Sequence, residues 1–476
     1  MKFSFVNAGP NADLDAREGK KSVGAWPPLG VLYLAAALEQ KGVEVSVLDQ
    51  AAEGLTVRDT VKWVNAENPD ILGFSTFATS GRTAAVISQE VKRENPNVTV
   101  VFGNYYATFN PERVLKKYPS VDIIVRGEGE RTVIDLVDCF KHQGRLKDVL
   151  GISFRSEGGV TSTADGSLIK DLDGLPFPDR TLVGDDYHSV MAGANVAPRK
   201  FTSVVSSRGC VYRCRFCCCT QFARNWWRPR SVENTLEELC FLASEGYKQF
   251  IFVDDNFTCN PKNVIKLCRG MRREKLDMEW ICEGRVDNSS YEMFWETAKA
   301  GCRILYFGIE SANQRILDYY KKRITPEQSR TAVGTARKAG ADVIVGSFIV
   351  GAPDETREEI LNTIGFAGGI PIDIPQFNIL GVYPGTEIWD ECEAKGFLKG
   401  GEYWETGVAV SEICPTAVPY GEIRRMIHDG FYHFARRPSF VSKEIARLAR
   451  SPYRFRTMVN NITRLGGIIE DLRSVT

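Results

Sequence analysis

Three cysteines spaced Cys210-x-x-x-Cys214-x-x-Cys217 are the side chains of this 476-residue chain whose type and spacing most directly specify chemistry. They lie in the run Ser207-Arg208-Gly209-Cys210-Val211-Tyr212-Arg213-Cys214-Arg215-Phe216-Cys217. Three thiolates can hold three irons of a 4Fe–4S cluster and leave the fourth without a protein ligand. An open position on a metal separates a catalytic site from a closed structural one. Zinc is the alternative, and it wants a fourth Cys or His at short spacing. Cys218 and Cys219 follow at once, but adjacent cysteines suit one tetrahedral ion poorly, and Cys240 lies far along a helical stretch. Of 13 cysteines, five fall between Cys210 and Cys219 and only Cys139 precedes them. One dense cluster reads as metal or cluster ligation in a reducing compartment rather than a secreted disulfide framework. Cys218 and Cys219 themselves read as small buried hydrophobes.

Two alternations of strand and helix must position this loop. Strands are expected over 2–9, 43–49, 70–77, 98–103 and 121–126, with helices over 28–41, 57–67, 82–94 and 131–141. That order predicts βαβ units and an open parallel sheet. Such sheets bind ligands at the carboxyl ends of their strands. Those ends carry small or Gly-rich turns: Asn7-Ala8-Gly9, Gly73 with Ser75-Thr76, Gly103-Asn104-Tyr105 running on to Thr108, and Gly127-Glu128-Gly129-Glu130. Residues 146–180 read as a β-hairpin and a stiff proline-bearing connector. A second set of strands is expected over 203–207, 249–254, 279–283, 305–309, 342–350 and 376–380. Six units suit a partial (β/α)6 TIM-type barrel, with catalytic groups at the strand C-termini. The cysteine loop follows the first of these strands.

The fold class is therefore α/β. A Rossmann-like parallel-sheet domain (1–145) leads through a hairpin and linker (146–195) to the partial barrel (196–400) and a helical C-terminal region (401–476). Lys+Arg and Asp+Glu are both 60, which gives no whole-chain attraction to nucleic acid. The N-terminus lacks the basic region of a signal peptide. The apolar stretch 22–38 is too short, and too broken by Pro27 and Pro28, to cross a bilayer. A soluble cytoplasmic protein without transmembrane segment or nucleic-acid partner is expected. Residues 420–476 are locally basic, which reads as a solvated helical face. Their aromatics (Phe431, Tyr432, Phe434, Tyr453, Phe455) could meet an anionic or lipid-like substrate or pack on the barrel.

The CxxxCxxC with an aromatic before its last cysteine resembles the radical S-adenosylmethionine (SAM) superfamily. In that family SAM chelates the open iron and is cleaved to a 5′-deoxyadenosyl radical. The strand-end turns Val253-Asp254-Asp255-Asn256, Glu283-Gly284-Arg285-Val286-Asp287, Gly308-Ile309-Glu310-Ser311, Gly351-Ala352-Pro353-Asp354-Glu355-Thr356 and Tyr383-Pro384-Gly385-Thr386 are similar to its turns. The resemblance implies Cys210, Cys214 and Cys217 as cluster ligands. Phe216 would wall the adenine, Arg285 would clamp the SAM carboxylate, and Glu310 would accept from the ammonium or the ribose. Asp254 would stand where many members carry Gly-Gly-Glu, which leaves open the group that meets the SAM amine.

Pro27-Pro28-Leu29-Gly30, Gly103 through Thr108, Pro111-Glu112 and Arg126 through Glu130 resemble the subgroup with an N-terminal cobalamin-binding domain. The resemblance implies cobalamin at Gly73, Ser75, Thr76, Gly103, Asn104, Tyr105, Gly127 and Glu128. The four histidines are His142, His188, His428 and His433, so none in residues 1–141 can ligate cobalt, and a base-off cofactor is expected. The domain could instead bind nothing and only pack against the barrel. A methylthiotransferase-type second cluster needs three cysteines there, and only Cys139 is present.

The expected activity is methylation of an unactivated carbon, with a small-molecule or lipid-like substrate and an external flavodoxin- or ferredoxin-type electron donor. The alternatives are radical cyclisation, oxidation or C–C coupling, and a non-enzymatic sensor.

Overall fold

The computed structural model describes residues 1–10, 12–15, 25–399, 401–414 and 418–461. Apolar runs rich in Val, Ile and Phe build its first sheet: β1 Lys2–Asn7, β2 Glu44–Asp49, β3 Ile71–Ser75, β4 Thr99–Gly103, β5 Ile123–Val125, β6 Ile152–Ser156 and β7 Gly159–Ser162. Their order is β2-β1-β3-β4-β5-β6-β7, with β1 to β5 parallel. Helices Leu29–Glu39 and Glu130–Lys141 cover one face, and Val57–Glu67 and Gly81–Glu94 the other. The direction of strand addition reverses between β1 and β3, which is where doubly wound sheets open a ligand crevice.

The hairpin expected as part of a separate linker belongs to this sheet. β6 pairs antiparallel with β5, and β7 with β6. The sheet thus continues past residue 145, and the hairpin covers a β5 edge that would otherwise leave backbone groups unpaired.

The linker holds a short ribbon, β8 Val190–Met191 and β9 Ala194–Asn195. A second sheet follows: β10 Phe201–Val204, β13 Gln249–Phe252, β14 Glu279–Arg285, β15 Cys302–Glu310, β16 Val343–Val350 and β17 Ile374–Ile379, all parallel and in that order. β11 Ser207–Arg208 and β12 Arg228–Pro229 form a separate antiparallel ribbon around the cysteine loop. The sheet curves into a partial barrel. Its outer face packs Phe250, Trp280, Phe307 and Phe348 against the helices. Its inner face stacks Phe201, Ile251, Ile281, Ile304 and Val345 with Tyr187, Val196 and Tyr453.

Tyr453 settles how the C-terminal helices are used. Helices Tyr420–Arg436, Pro438–Leu448 and Pro452–Asn460 lie on the barrel, and Tyr453 Oη donates to the Val196 carbonyl at 2.9 Å. Arg454 binds Asp342 at 2.9 Å and Arg456 binds Glu279 at 2.5 Å, both at the N-terminal ends of strands. Tyr453 and Phe434 are buried and pack on the barrel, Tyr453 at the end opposite the cysteine loop, whereas Tyr432 and Phe455 are exposed. The helical reading of 462–476 lies outside the described residues.

Candidate active site at the junction of the two sheets

The cysteine loop is held from below by the turn after β13. Asp254 accepts from the Ser206 amide (2.8 Å), Ser206 Oγ (2.7 Å) and Ser207 Oγ (2.5 Å). Asp255 accepts from the Gly209 amide at 2.7 Å. Burial pushes the Asp254 carboxyl up to about 6, against the pull of those hydrogen bonds. The resemblance implies Asp254 at SAM; here both its carboxylate oxygens accept from Ser206 or Ser207 of the cysteine loop. Gly209 has φ +88°, and a Cβ there would lie 2.1 Å from the Trp226 carbonyl oxygen. Glycine is required at that corner.

Beyond Gly209 the loop carries Cys210, Cys214 and Cys217, all free thiols and all half-buried. Burial pushes the Cys210 and Cys214 thiols up, while Lys322 and Arg285 pull Cys214 the other way. Arg285 Nη1 approaches Cys214 Sγ at 3.8 Å. Among the described residues no group of three His, Cys, Asp or Glu side chains is drawn together at metal-binding distance. Three thiols of one loop at a barrel mouth, none of them in a disulfide, suit a 4Fe–4S cluster with an open iron.

Arg285 is buried, and its fork is already taken. Nε and Nη2 each bind Asp287 at 2.9 Å, Nη2 also donates to the Lys322 carbonyl at 2.6 Å, and the guanidinium lies 3.6 Å from the Tyr212 ring centroid. Among the described residues Nη1 meets only Cys214 Sγ, and it is the edge a ligand would reach. Glu310 has φ +66° and receives Lys322 Nζ at 2.6 Å. A non-glycine residue in the left-handed region persists only where its surroundings hold it, and such residues gather at functional sites. Lys322 was missed in the sequence. It lies in a loop between Lys321 (φ +51°) and Arg323 (φ +56°), outside the strand-end turns. Phe216 packs edge-on against Tyr320, centroids 5.3 Å apart, beside the fourth-strand and fifth-strand turns.

Across from the loop, the ends of β3, β4 and β5, with Phe3 and Phe5 of β1, border a cavity of about 330 Å³. Gly73, Ser75, Gly103, Asn104, Tyr105, Gly127 and Glu128 line it, as do Arg208, Gly209, Phe222, Arg228 and Asp255 from the barrel side. A Cβ at Gly127 (φ +78°) would meet nothing within 4 Å, and one at Gly103 only Val125 at 3.8 Å or beyond. Both glycines therefore border open space, which fits a bulky cofactor lying against the backbone. Thr76 is absent from the wall. It is buried, and its hydroxyl donates to the Gly103 carbonyl at 2.7 Å, tying the β3 and β4 turns together. Glu128 reaches the wall but is occupied by Arg228 and by the Ile169 amide (2.7 Å). Asn104 (φ +74°) donates to Ser75 Oγ at 2.9 Å. The two domains touch where Tyr105 Oη lies 3.3 Å from Cys219 Sγ. Cys219, half-buried and not the buried hydrophobe expected, is thus a contact between the domains. Trp226 is exposed and lies over Arg228, 5.4 Å from ring centroid to guanidinium.

A flavodoxin-like sheet facing a partial barrel across a shared cavity defines a two-domain cofactor enzyme architecture. The profile of the B12 binding domain matches residues 19–137, and that of the radical SAM superfamily matches residues 204–367. A Pyrococcus horikoshii protein named an uncharacterized methyltransferase is 37% identical over 430 residues, covering 90% of this chain and 92% of the relative. The anaerobic magnesium-protoporphyrin IX monomethyl ester cyclase of Cereibacter sphaeroides is 27% identical over 91% of this chain and 70% of its own. The fold matches that of the radical SAM methyltransferase TsrM from Kitasatospora setae, solved with tryptophan and a SAM analogue, at TM-score 0.68 and 18% identity over 83% of this chain and 76% of that one. The chain belongs to the radical SAM superfamily, in the subgroup with a B12-binding domain ahead of the barrel.

Proposed function

We propose that this protein is a cobalamin-dependent radical SAM enzyme that methylates an unactivated carbon of a small-molecule or lipid-like substrate. When bound, the cluster with SAM supplies a 5′-deoxyadenosyl radical and the cobalamin supplies the methyl group. Cys210, Cys214 and Cys217 would hold the cluster. The Nη1 edge of Arg285, Glu310 with Lys322, and Phe216 would orient SAM. Asp254 and Asp255 keep the loop in place. Gly73, Gly103, Asn104, Tyr105 and Gly127 would seat the cobalamin. No histidine lies in residues 1–141, which supports a base-off cofactor.

The observation that carries this reading is the shared cavity: Gly209 of the cluster loop and the glycine turns of the first sheet line the same space. Holding two cofactors against one carbon is what such a cleft supplies. A flavodoxin- or ferredoxin-type protein would deliver electrons, in the cytoplasm. Among the described residues no helix is long and apolar enough to cross a membrane.

The test is anaerobic turnover of the reconstituted, cobalamin-loaded protein. Both 5′-deoxyadenosine and S-adenosylhomocysteine are expected. Only 5′-deoxyadenosine would reject methyl transfer and favour a cyclisation or oxidation, the direction in which the cyclase relative points.

A further inference from the structure

The inner face of the barrel changes character halfway up. Its lower rows are apolar and closed by Tyr187, Val196 and Tyr453. Strand alternation then turns Glu283, Tyr306, Ser347, Gln376 and Asn378 to the same face. Glu283 and Tyr306 are register partners, as are Ser347 and Gln376. Asn378 Nδ2 donates to Ser347 Oγ at 3.3 Å. Glu283, Gln376 and Asn378 keep exposed side chains although they line the interior. The upper lumen is therefore an open well with polar walls and an apolar floor.

The charges at its rim are mutually paired: Arg285 with Asp287 at 2.9 Å, and Lys322 with Glu310 at 2.6 Å. Among the described residues Glu283 has no hydrogen-bond or ion-pair partner; burial pushes its carboxyl up, and the like-signed Glu310 adds to that. Charges inside proteins are normally paired, and an uncompensated one in a cleft marks a site. Arg285, two residues further along the same strand face, already reaches the cluster loop at Cys214. Glu283 thus lies about 6.6 Å deeper, at about 3.3 Å per strand residue, below the level where the amino-acid end of SAM belongs.

We propose that Glu283 is the specificity-determining anchor for a cationic group of the substrate, an ammonium or amidinium that descends into the lumen. The Tyr306 ring offers a cation a face, and Ser347, Gln376 and Asn378 offer hydrogen-bond acceptors around it. The inference rests on the reading of the barrel mouth as the SAM site, and it narrows the substrate class to molecules carrying such a cation.

The test is calorimetric titration of n-butylammonium and benzamidinium chloride into the anaerobically reconstituted, SAM-loaded full chain and its Glu283→Gln variant. Saturable binding of at least one probe is expected, at least tenfold weaker in E283Q. SAM affinity and dithionite-driven formation of 5′-deoxyadenosine should be equal in the two proteins. Equal probe binding in both, or none to the parent chain, overturns the proposal. Loss of SAM affinity in E283Q also overturns it, because Glu283 would then serve the ammonium of SAM itself. A parent chain that binds probe but never cleaves SAM would instead sink the radical SAM reading while leaving the cation site standing.

Discussion

Arg228 grips Glu128 through two parallel hydrogen bonds, Nη1 to Oε2 and Nη2 to Oε1, each 2.8 Å. Glu128 belongs to the turn after β5 and Arg228 to the ribbon that brackets the cysteine loop, so the pair spans the two sheets. Arg208 adds Glu130 at 2.6 Å and Glu128 at 3.4 Å. Burial works against the Glu128 charge, yet its arginine partners hold its carboxyl below the usual range. Removing one partner of a buried pair strands the other, at a cost of about 3–5 kcal/mol. Arg228→Ala should lose that much stability in urea unfolding, and Arg228→Lys, which keeps the charge but not the fork, should lose less. A loss under about 1 kcal/mol for R228A would class the pair with weak surface bridges.

Two glycines should respond in opposite ways to one added methyl. At Gly209 the Cβ would lie 2.1 Å from a backbone carbonyl, so the corner must open. Gly209→Ala should purify with little iron after reconstitution. At Gly127 the Cβ enters the cavity and meets nothing within 4 Å. Gly127→Ala should cost about 1 kcal/mol for its left-handed φ, keep its iron, and bind cobalamin more weakly. Iron, cobalt and melting temperature measured on both variants decide the matter.

The cysteines divide by position. Cys210→Ala, Cys214→Ala and Cys217→Ala should each abolish the cluster absorbance. Cys218→Ala and Cys219→Ala should retain it, because Cys219 faces Tyr105 across the domain boundary. Cluster loss in C219A with retention in C217A would reassign the third ligand.

The two sheets and the cysteine loop were legible in the sequence because each rests on a local signal: period-two apolar strands, helical spacing, and thiols at fixed intervals. Pairing partners were not. Asp254 and Glu128 occupy the expected turns, but what each carboxylate binds depends on Ser206, Ser207 and Arg228, residues 47 or more positions away or on another sheet. Lys322 was invisible for the same reason, since only the fold brings it to Glu310. The β6–β7 hairpin read correctly as a hairpin. Its attachment to β5 is an edge pairing that no local pattern encodes.

Asp254 offers a direct test of anchor against ligand. Asp254→Ala would leave three donors of Ser206 and Ser207 without their acceptor, each worth about 1–3 kcal/mol when buried unsatisfied. Melting temperature and iron content should fall together. Asp254→Asn keeps an acceptor and should recover part of both. If D254A keeps its iron and loses only SAM affinity, Asp254 is a ligand of SAM and the anchoring role is wrong.

Glu355 should make stability depend on pH in a defined window. Its Oε2 accepts from the Gly351 amide (2.6 Å) and the Ala352 amide (2.9 Å), while Oε1 is buried without a partner. Burial pushes the carboxyl up to about 7 from 4.5, with the two backbone donors pulling the other way. The folded state therefore keeps a proton that the unfolded chain releases near pH 4.5, and stability must fall as pH rises from there to about 7. At 1.36 kcal/mol per unit, the penalty above that window is on the order of 3 kcal/mol. Glu355→Gln keeps an acceptor for both amides and carries no charge at any pH. The melting temperature of E355Q minus that of the parent should therefore widen between pH 5 and pH 7 and then level off, the other titrating groups cancelling in the difference. A difference that stays flat from pH 5 to 8 would mean that this carboxyl is not held protonated in the fold.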